Sequence, residues 1–468
     1  MKLKGTMVIE LTDVDTGEVQ TYTEENMVTN VINNILGTNP MGIMYKTSGE
    51  YDDMVTWNDN LLPICPNMIG GILLYSEALE EDVDNLYCDS SHLPVAYASN
   101  DVNSTTDLAR GSLNLTESYA LDNGYKFVWE FTASQGNGTI AAVALTSALG
   151  GQFAYGSAAG DTSTLLEIRE VDISGMSLAD KMLLFEIEEV DFENEIAYSL
   201  TYSNSAVVIR KLRLPVFTIG LNERLDDTTY TLLEEKAVTV STFSFYGTSK
   251  MYGEFMDGKD GYWYGFSNDS GNYSGDATMR WVKISKTDYS IEEGTWTLSD
   301  ATLYAVGTRT ENSSYAMRDV NSCVRNGYLY VMSYNYDGVY KINIANSADV
   351  TLIDLGFTSN FRSVGATGSC SLKMMLIGDL IVGYDFQITA DDTVIATAGG
   401  QKLVYGASQL FQYKNFLIGW GGSYGNEGKY AYLLTPYHAT INNLDSAVTK
   451  DSSMTMKITY TLTEADSE

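Results

Sequence analysis

The run Asn326-Gly327-Tyr328-Leu329-Tyr330-Val331-Met332, followed by Gly338-Val339-Tyr340-Lys341-Ile342-Asn343, sets the reading of this 468-residue chain. Asn-Gly supplies a tight turn with positive φ, and the residues after it are the aromatic and β-branched types that suit a pleated strand. The same phrase returns at Asp260-Gly261-Tyr262-Trp263-Tyr264-Gly265, at Gly378-Asp379-Leu380-Ile381-Val382-Gly383 and at Lys414-Asn415-Phe416-Leu417-Ile418-Gly419. A second lysine-bearing strand follows in two cases, at Arg280-Trp281-Val282-Lys283-Ile284-Ser285 and at Gly338 to Asn343. Recurrent couplets of short strands are the mark of propeller blades, each a four-stranded sheet of about 40 to 50 residues. The turns lie 66, 51 and 36 residues apart. That irregularity leaves a long antiparallel β-sandwich as the alternative for residues 234–434.

Upstream of this region the texture differs. Met7-Val8-Ile9-Glu10-Leu11 alternates, Asp15-Thr16-Gly17 turns, and Glu18 to Thr23 alternates again, which predicts a hairpin. Met27, Val28, Val31, Ile32, Ile35 and Leu36 then recur at helical spacing up to Gly37, behind Glu24 and Glu25 as first-turn acids. Residues 1–65 are therefore expected to be a hairpin-and-helix assembly module. Strands at 71–75, 126–131, 139–145 and 206–219 predict a β-sandwich-like domain over 66–233. The final stretch, 435–468, places Met454, Met456, Ile458, Tyr460 and Leu462 on one face and Thr455, Lys457, Thr459 and Thr461 on the other. Such a strand should pair back onto the N-terminal hairpin or onto a neighbouring subunit. The fold class expected is mainly β.

Charge narrows the function. Lys and Arg number 28 against 61 Asp and Glu, for a net charge of −33 with only two histidines. A surface so negative repels phosphate backbones and anionic lipid, which argues against nucleic-acid and membrane partners. Hydrophobic residues make up 44% of the chain and charged residues 19%, a globular balance. The N-terminus lacks an apolar stretch of signal-peptide length, and no segment approaches the roughly 20 apolar residues needed to span a bilayer. Cys65, Cys88, Cys323 and Cys370 are far apart, without metal spacing, and read as isolated thiols in a chain made in a reducing cytoplasm.

The closing segment carries a resemblance. Pro436-Tyr437-His438-Ala439-Thr440-Ile441-Asn442-Asn443-Leu444 leads through Ala447-Val448-Thr449-Lys450 into Met454-Thr455-Met456-Lys457-Ile458-Thr459-Tyr460-Thr461-Leu462. This is similar to the end of virion structural proteins of tailed phages that infect Firmicutes. The stretches 8–13, 26–30, 191–198 and 209–215 resemble the same family, so that the likeness covers about a quarter of the chain. It implies a tail fibre, baseplate or receptor-facing subunit, located in the virion after assembly in the host cytoplasm. The partners implied are copies of itself, other tail or baseplate proteins and host surface glycan. A head-attached decoration protein is a further reading.

A search for chemistry finds no nucleophile elbow, phosphate loop or dinucleotide fingerprint. His92 and His438 lie in no catalytic motif, and the acidic run at Glu77, Glu80, Glu81, Asp82 and Asp84 reads as a solvated face. Asp13, Asp15 and Glu18 are explained by the hairpin turn. The expectation is a non-enzymatic protein with no catalytic residue, metal or cofactor, and a virion-borne glycan-cleaving enzyme is the alternative. Ligand contacts are expected from ring-bearing residues near turns, namely Tyr262, Trp263, Tyr264, Tyr334, Tyr336, Trp420 and Tyr424, since these present an apolar face with a polar tip.

Overall fold

The computed structural model describes residues 3–37, 69–88, 92–153, 165–172, 175–213, 230–247, 250–269, 275–311, 316–360, 371–396, 407–414, 416–423, 426–434 and 436–465. The chain is mainly β and divides into two compact units. One takes in the chain up to Ile168, apart from Lys46–Gly49, and resumes at Leu433; the other spans Arg169–Tyr432.

The first unit is a sandwich built on the alternation of its terminal strands. Leu3–Asp13 and Met454–Glu464 pair antiparallel along eleven positions, and Gly124–Phe131 pairs on the far side of the latter. The register sets Ile9, Ile458 and Trp129 in one row, Met7, Tyr460 and Phe127 in the next, and Leu11, Met456 and Phe131 in a third. All nine are buried. Each such side chain contributes about 1.5–3 kcal/mol on leaving water. Val19–Glu25 and Ser112–Leu113 flank this sheet, and Tyr119–Leu121 also pairs with Gly124–Phe131. The second sheet runs Met27–Val28, Thr440–Lys450, Gly138–Thr146, Gly71–Tyr75 and Ala96–Ala98. Buried polar groups tie the layers: the Tyr460 hydroxyl lies 2.8 Å from both Thr440 Oγ1 and Asn442 Oδ1, and Trp129 Nε1–H donates to the Ser99 carbonyl at 3.0 Å.

The predicted helix is shorter than its periodicity suggests. Glu24 and Glu25 end the strand Val19–Glu25, and Met27 and Val28 pair with Ile441 and Thr440, so the helix covers only Asn30–Gly37. A sheet partner more than 400 residues away outweighs the local pattern, and Val28 as a β-branched residue accepts the strand.

The second unit contains, among the described residues, five four-stranded meanders. Blade 1 is Ile187–Asp191, Ile196–Ser203, Ala206–Arg213 and Thr231–Thr239. Blade 2 is Glu254–Asp257, Tyr262–Asn268, Ala277–Ser285 and Ile291–Leu298, and blade 3 is Ser322–Arg325, Tyr328–Met332, Gly338–Asn343 and Val350–Asp354. Blade 4 is Met374–Ile377, Leu380–Gly383, Phe386–Ile388 and Val394–Ala396. Blade 5 is Ala407–Tyr413, Phe416–Ser423 and Asn426–Leu434, with Leu165–Asp172 as its outer strand. That last strand precedes blade 1 in sequence, so the final sheet is completed by an early segment, a closure that leaves no blade short of a strand.

The sequence-based boundary near residue 233 is corrected here. It falls inside Thr231–Thr239, and strands assigned to the sandwich, Ile187 to Arg213, form blade 1. Blade 1 begins its second strand from a turn at Glu195 (φ 56), a residue with no glycine signature. The modules expected at 1–65 and 435–468, and the part of the 66–233 module up to Ile168, contribute described residues to one unit. Residues 38–68 and 214–219, assigned to the assembly module and to a strand, lie outside the described residues.

Alternation explains why the blades stack. Trp263 packs with Leu200, Val207 and Ile209 of blade 1, whereas Tyr264 and Phe266 pack with Val324, Leu329 and Val331 of blade 3. Tyr330 and Met332 in turn meet Ile381, Phe386 and Ile388 of blade 4. A strand covered on both faces reads as a continuous apolar run rather than as an alternating one. The turn at Asn326 (φ 50) and Gly327 (φ 77) is the two-residue hairpin that the sequence predicts. A Cβ on Gly327 meets nothing within 4 Å, so only its positive φ resists substitution. Gly327→Val should therefore lower stability by about 1–2 kcal/mol, read as a shift in the urea midpoint at unchanged slope.

Glu293 fastens the segment that leads from blade 1 into blade 2. Its carboxylate accepts from the backbone N–H groups of Ser241, Thr242 and Phe243 and from the Ser241 hydroxyl, at 2.6–3.1 Å. Burial alone would raise its pKa, but these donors outweigh it and hold the group down at about 2. A depressed carboxylate stabilises the fold above its ordinary value near 4.5 and loses that contribution as pH falls towards about 2. Wild type should thus be more stable than Glu293→Gln at pH 7, and the two urea midpoints should converge between pH 4.5 and 2.

Candidate functional site: the cavity inside the blades

The first strand of each blade faces a common space. Ile187–Asp191 contacts Glu254–Asp257 and Ala407–Tyr413, and Ser322–Arg325 contacts Glu254–Asp257 and Met374–Ile377. All five border one cavity of about 250 Å³. Numbering rises from one end of this space to the other in every strand, since each leads into the turn before the blade's second strand. Phe192, Lys259, Gly378 and Gln412 line it at the turn end.

Segments connecting the blades pack against the starts of blades 1 and 2. Lys250–Met251, Thr308–Glu311, Ala316–Val320 and Ser371–Leu372 form a small sheet of their own. Its register puts Arg309 directly opposite Arg318, which is unfavourable for two like charges unless carboxylates separate them. Glu186, Glu188 and Glu254, at the starts of blades 1 and 2, do so. Arg318 Nη2 lies 2.7 and 2.8 Å from the Glu188 oxygens and 2.7 Å from Glu254 Oε1, and Arg309 Nη2 lies 2.6 Å from the same Glu254 oxygen. Arg309 also pairs with Glu186, and Arg318 donates to the Phe185 carbonyl. Glu188, Glu254 and Arg318 are at most 1% exposed.

Three carboxylates and two guanidiniums thus meet in one buried cluster. Burial raises Glu188 well above the ordinary carboxylate range and raises Glu254 as well. Burial also pulls the Arg318 guanidinium down, but Glu188 and Glu254 more than offset it and keep it ionised.

A second ion network borders the cavity. Lys286 Nζ bridges Glu189 at 2.8 Å and Asp257 at 2.7 Å, and Lys259 reaches Asp257 at 2.8 Å. Burial opposes ionisation of Asp257, yet the two ammonium groups hold its pKa below the ordinary value. Cys323 also lines the cavity; burial pushes its thiol up to about 12, so it stays protonated and is no nucleophile at neutral pH. Ser322 belongs to the cavity wall, and its hydroxyl is buried without a hydrogen-bond partner.

The ring-bearing residues singled out from sequence are not gathered into one site. Trp263 has no exposed face: it is fully buried, and its Nε1–H donates to Glu189 Oε2 at 2.8 Å. Tyr264 and Trp420 are buried too, 5% and 3% exposed, so these three are interior residues rather than ligand contacts. The reason is that both faces of a blade are packed. Tyr262 is half-buried beneath Lys283, whose Nζ lies 4.0 Å from the ring centroid. Tyr334 and Tyr336 are half-buried on the loop Ser333–Gly338, where Tyr336 meets Tyr304 at 5.4 Å between centroids. Tyr424 lies outside the described residues. Sequence reasoning missed Glu188, Ser322, Phe192 and Gln409, which become neighbours only when five separate strands converge.

The two histidines, read from sequence as ordinary polar residues, meet in the sandwich. Both rings stand edge-on to Tyr75, and the Tyr75 hydroxyl lies 2.8 Å from His438 Nε2. Among the described residues no group of three or more His, Cys, Asp or Glu is placed to hold a metal ion, and no helix is long and apolar enough to cross a membrane. Cys88 and Cys323 are buried free thiols, while Cys65 and Cys370 lie outside the described residues.

Neither a protein-family profile nor a curated protein matches the chain. Among solved structures, the crystal structure of Citrobacter koseri AztD aligns with 60% of this chain and 59% of its own at 9% identity and a TM-score of 0.22. The structure of apo AztD from Citrobacter koseri aligns with 72% of this chain and 96% of its own at 7% identity and a TM-score of 0.19. Likeness at this level carries no argument about fold or role.

Proposed function

We propose that the protein is a non-enzymatic structural subunit of a tailed-phage virion, a tail fibre, baseplate or receptor-facing component that assembles with copies of itself and contacts host surface glycan. One observation carries the reading. The two terminal strands pair at the centre of one sheet, and the whole bladed unit is inserted in the chain between them. A domain inserted in this way can be carried by its host module without interrupting that module's core. The sandwich then serves as the anchoring part and the blades as the displayed part.

The net charge of −33 supports an exposed, colloidally soluble subunit that does not touch the genome. The carboxylates of the cavity favour binding over hydrolysis. A glycosidase needs one carboxyl free to donate a proton and another free to attack or activate water. Here Glu188 is engaged by Arg318, and Asp257 by Lys259 and Lys286.

Incubation with cell-wall polysaccharide of the host bacterium separates the two readings. Co-sedimentation of the protein with the polysaccharide, and no rise in reducing ends, is the expected result. Release of reducing ends would replace this reading by that of a virion-borne glycan-degrading enzyme.

A further inference from the structure

We propose that Lys450 and Asn137 become joined by a covalent amide bond that forms within the sandwich unit without an enzyme. The bond ties the strand Thr440–Lys450 to the turn between Gly124–Phe131 and Gly138–Thr146. It forms whatever the protein's role in a particle.

The amine is a buried lysine without a counter-ion. Lys286, Lys341, Lys373 and Lys457 each hold a carboxylate within 4 Å, whereas Lys450, at 1% exposure, holds none among the described residues. Its Nζ meets two neutral oxygens instead, Asn137 Oδ1 at 2.6 Å and the Ala133 carbonyl at 3.4 Å. A buried ammonium with no opposite charge beside it is costly. Burial pulls its pKa down to about 8, and Asp451 offsets only part of this. About a tenth of the group is therefore free amine at pH 7, where an exposed lysine has almost none.

The amide it would attack is held in place. Asn137 Nδ2 donates to the Ala133 carbonyl at 3.1 Å, so that Ala133 receives both reacting side chains. The turn is braced in its own right: Thr132 N–H and Oγ1 donate to Gln135 Oε1 at 3.1 and 3.0 Å, and Gly136 N–H donates to the Leu108 carbonyl at 2.8 Å. Fixing amine and carbonyl side by side replaces a bimolecular encounter by an intramolecular one. Asn137 itself is exposed, which lets ammonia escape to water.

Gly138 supplies the activation. It follows Asn137 at φ 142, and without a Cβ its backbone nitrogen reaches Asn137 Cγ unhindered. The bond from this nitrogen to Cγ forms, the Cγ–Nδ2 bond breaks, and the nitrogen's proton leaves with Nδ2 as ammonia. The product is a five-membered imide. Lys450 Nζ then adds to the same Cγ, the bond from Cγ to the Gly138 nitrogen breaks, and a proton passes from Nζ to that nitrogen. The backbone amide is restored, nothing is oxidised or reduced, and the buried charge is gone. Asn123-Gly124 and Asn326-Gly327 share the dipeptide, but among the described residues no lysine bonds to either asparagine side chain.

The link would close a loop of chain 313 residues long. Lys450 pairs with Gly138 in the ladder, so the two strands would stay joined there even when its hydrogen bonds open.

Intact-mass spectrometry and tryptic mapping of the purified full-length protein, after prolonged incubation at neutral pH, test the bond. The mass should fall by about 17 Da, one ammonia. The tryptic peptide Phe127–Arg169 should be recovered linked to Tyr430–Lys457, with no cut after Lys450. Asn137→Ala and Lys450→Arg should each give no linked peptide, and denatured wild type should migrate faster than either in a gel, as a closed loop does. Wild type at its encoded mass would overturn the proposal. So would recovery of Phe127–Arg169 unlinked, whether it has lost ammonia as the imide or gained about 1 Da by hydrolysis at Asn137. The wild-type map alone decides, so a variant that fails to fold leaves the test intact.

Discussion

Arg318→Met is expected to lower the stability of the protein by about 3–5 kcal/mol, because it removes the cation and leaves Glu188 and Glu254 buried. The loss should also depend on pH in a direction that the cluster dictates. Without the guanidinium both carboxyls must be protonated to stay inside, so their folded pKa values rise further above the unfolded ones. A raised carboxyl destabilises the fold as pH climbs through the unfolded value towards the folded one. The deficit against wild type should therefore be small near pH 4 and grow towards pH 8, as read from urea midpoints. Glu188→Gln is the informative companion. If Glu188 holds a proton in the native state, an amide of the same shape costs much less than Arg318→Met; an equal loss would mean that Glu188 is ionised in the cluster.

The second large effect concerns the strand Met454–Glu464. Removing residues 452–468 takes away Met456, Ile458, Tyr460 and Leu462, all buried, together with the ladders to Leu3–Asp13 and Gly124–Phe131. Four such side chains represent about 6–12 kcal/mol of burial, comparable with the roughly 5–15 kcal/mol that holds a domain folded. The truncated protein should lose the native fluorescence of Trp129 and accumulate as aggregate, since two long strand edges are left open. Ile458→Asp should reproduce most of the loss. Thr459→Lys, one residue along but on the other face, should remain soluble and folded. Equal solubility for the truncated and full-length chains would refute the placement of this strand at the centre of the sheet.

Much of this arrangement was legible in the sequence where local chemistry and tertiary role agree. The phrases at 260–265, 326–332, 378–383 and 414–419 fall on the turn and second strand of blades 2 to 5. Their uneven spacing has a cause that the pattern does not carry: Thr308–Glu311 and Ala316–Val320 intervene between blades 2 and 3, and Ser371–Leu372 between blades 3 and 4. Blade 1 escaped notice because Glu195, rather than glycine, takes the positive φ of its turn. The alternation of Met454 to Leu462 predicted a half-buried strand returning to the N-terminal hairpin, and its pairing with Leu3–Asp13 is that strand.

The candidate site was far less legible. Aromatic residues beside turns suggest an exposed binding surface, but stacking of blades on both faces turns Trp263, Tyr264 and Trp420 inward. Arg309 and Arg318 sit in the short strands Thr308–Glu311 and Ala316–Val320, on which the sequence reading is silent. Only the convergence of distant strands sets them against Glu188 and Glu254. The same holds for Ser322, an unremarked serine in sequence whose significance is its burial at the wall of a cavity.

The proposed virion role requires the protein to be a displayed component of a phage particle. Immunogold electron microscopy of purified particles, with antibody raised against the bladed unit, tests this directly. Gold at the tail end of intact particles is the predicted result; particles that carry no label, in preparations where the same antibody detects the purified protein, would contradict it.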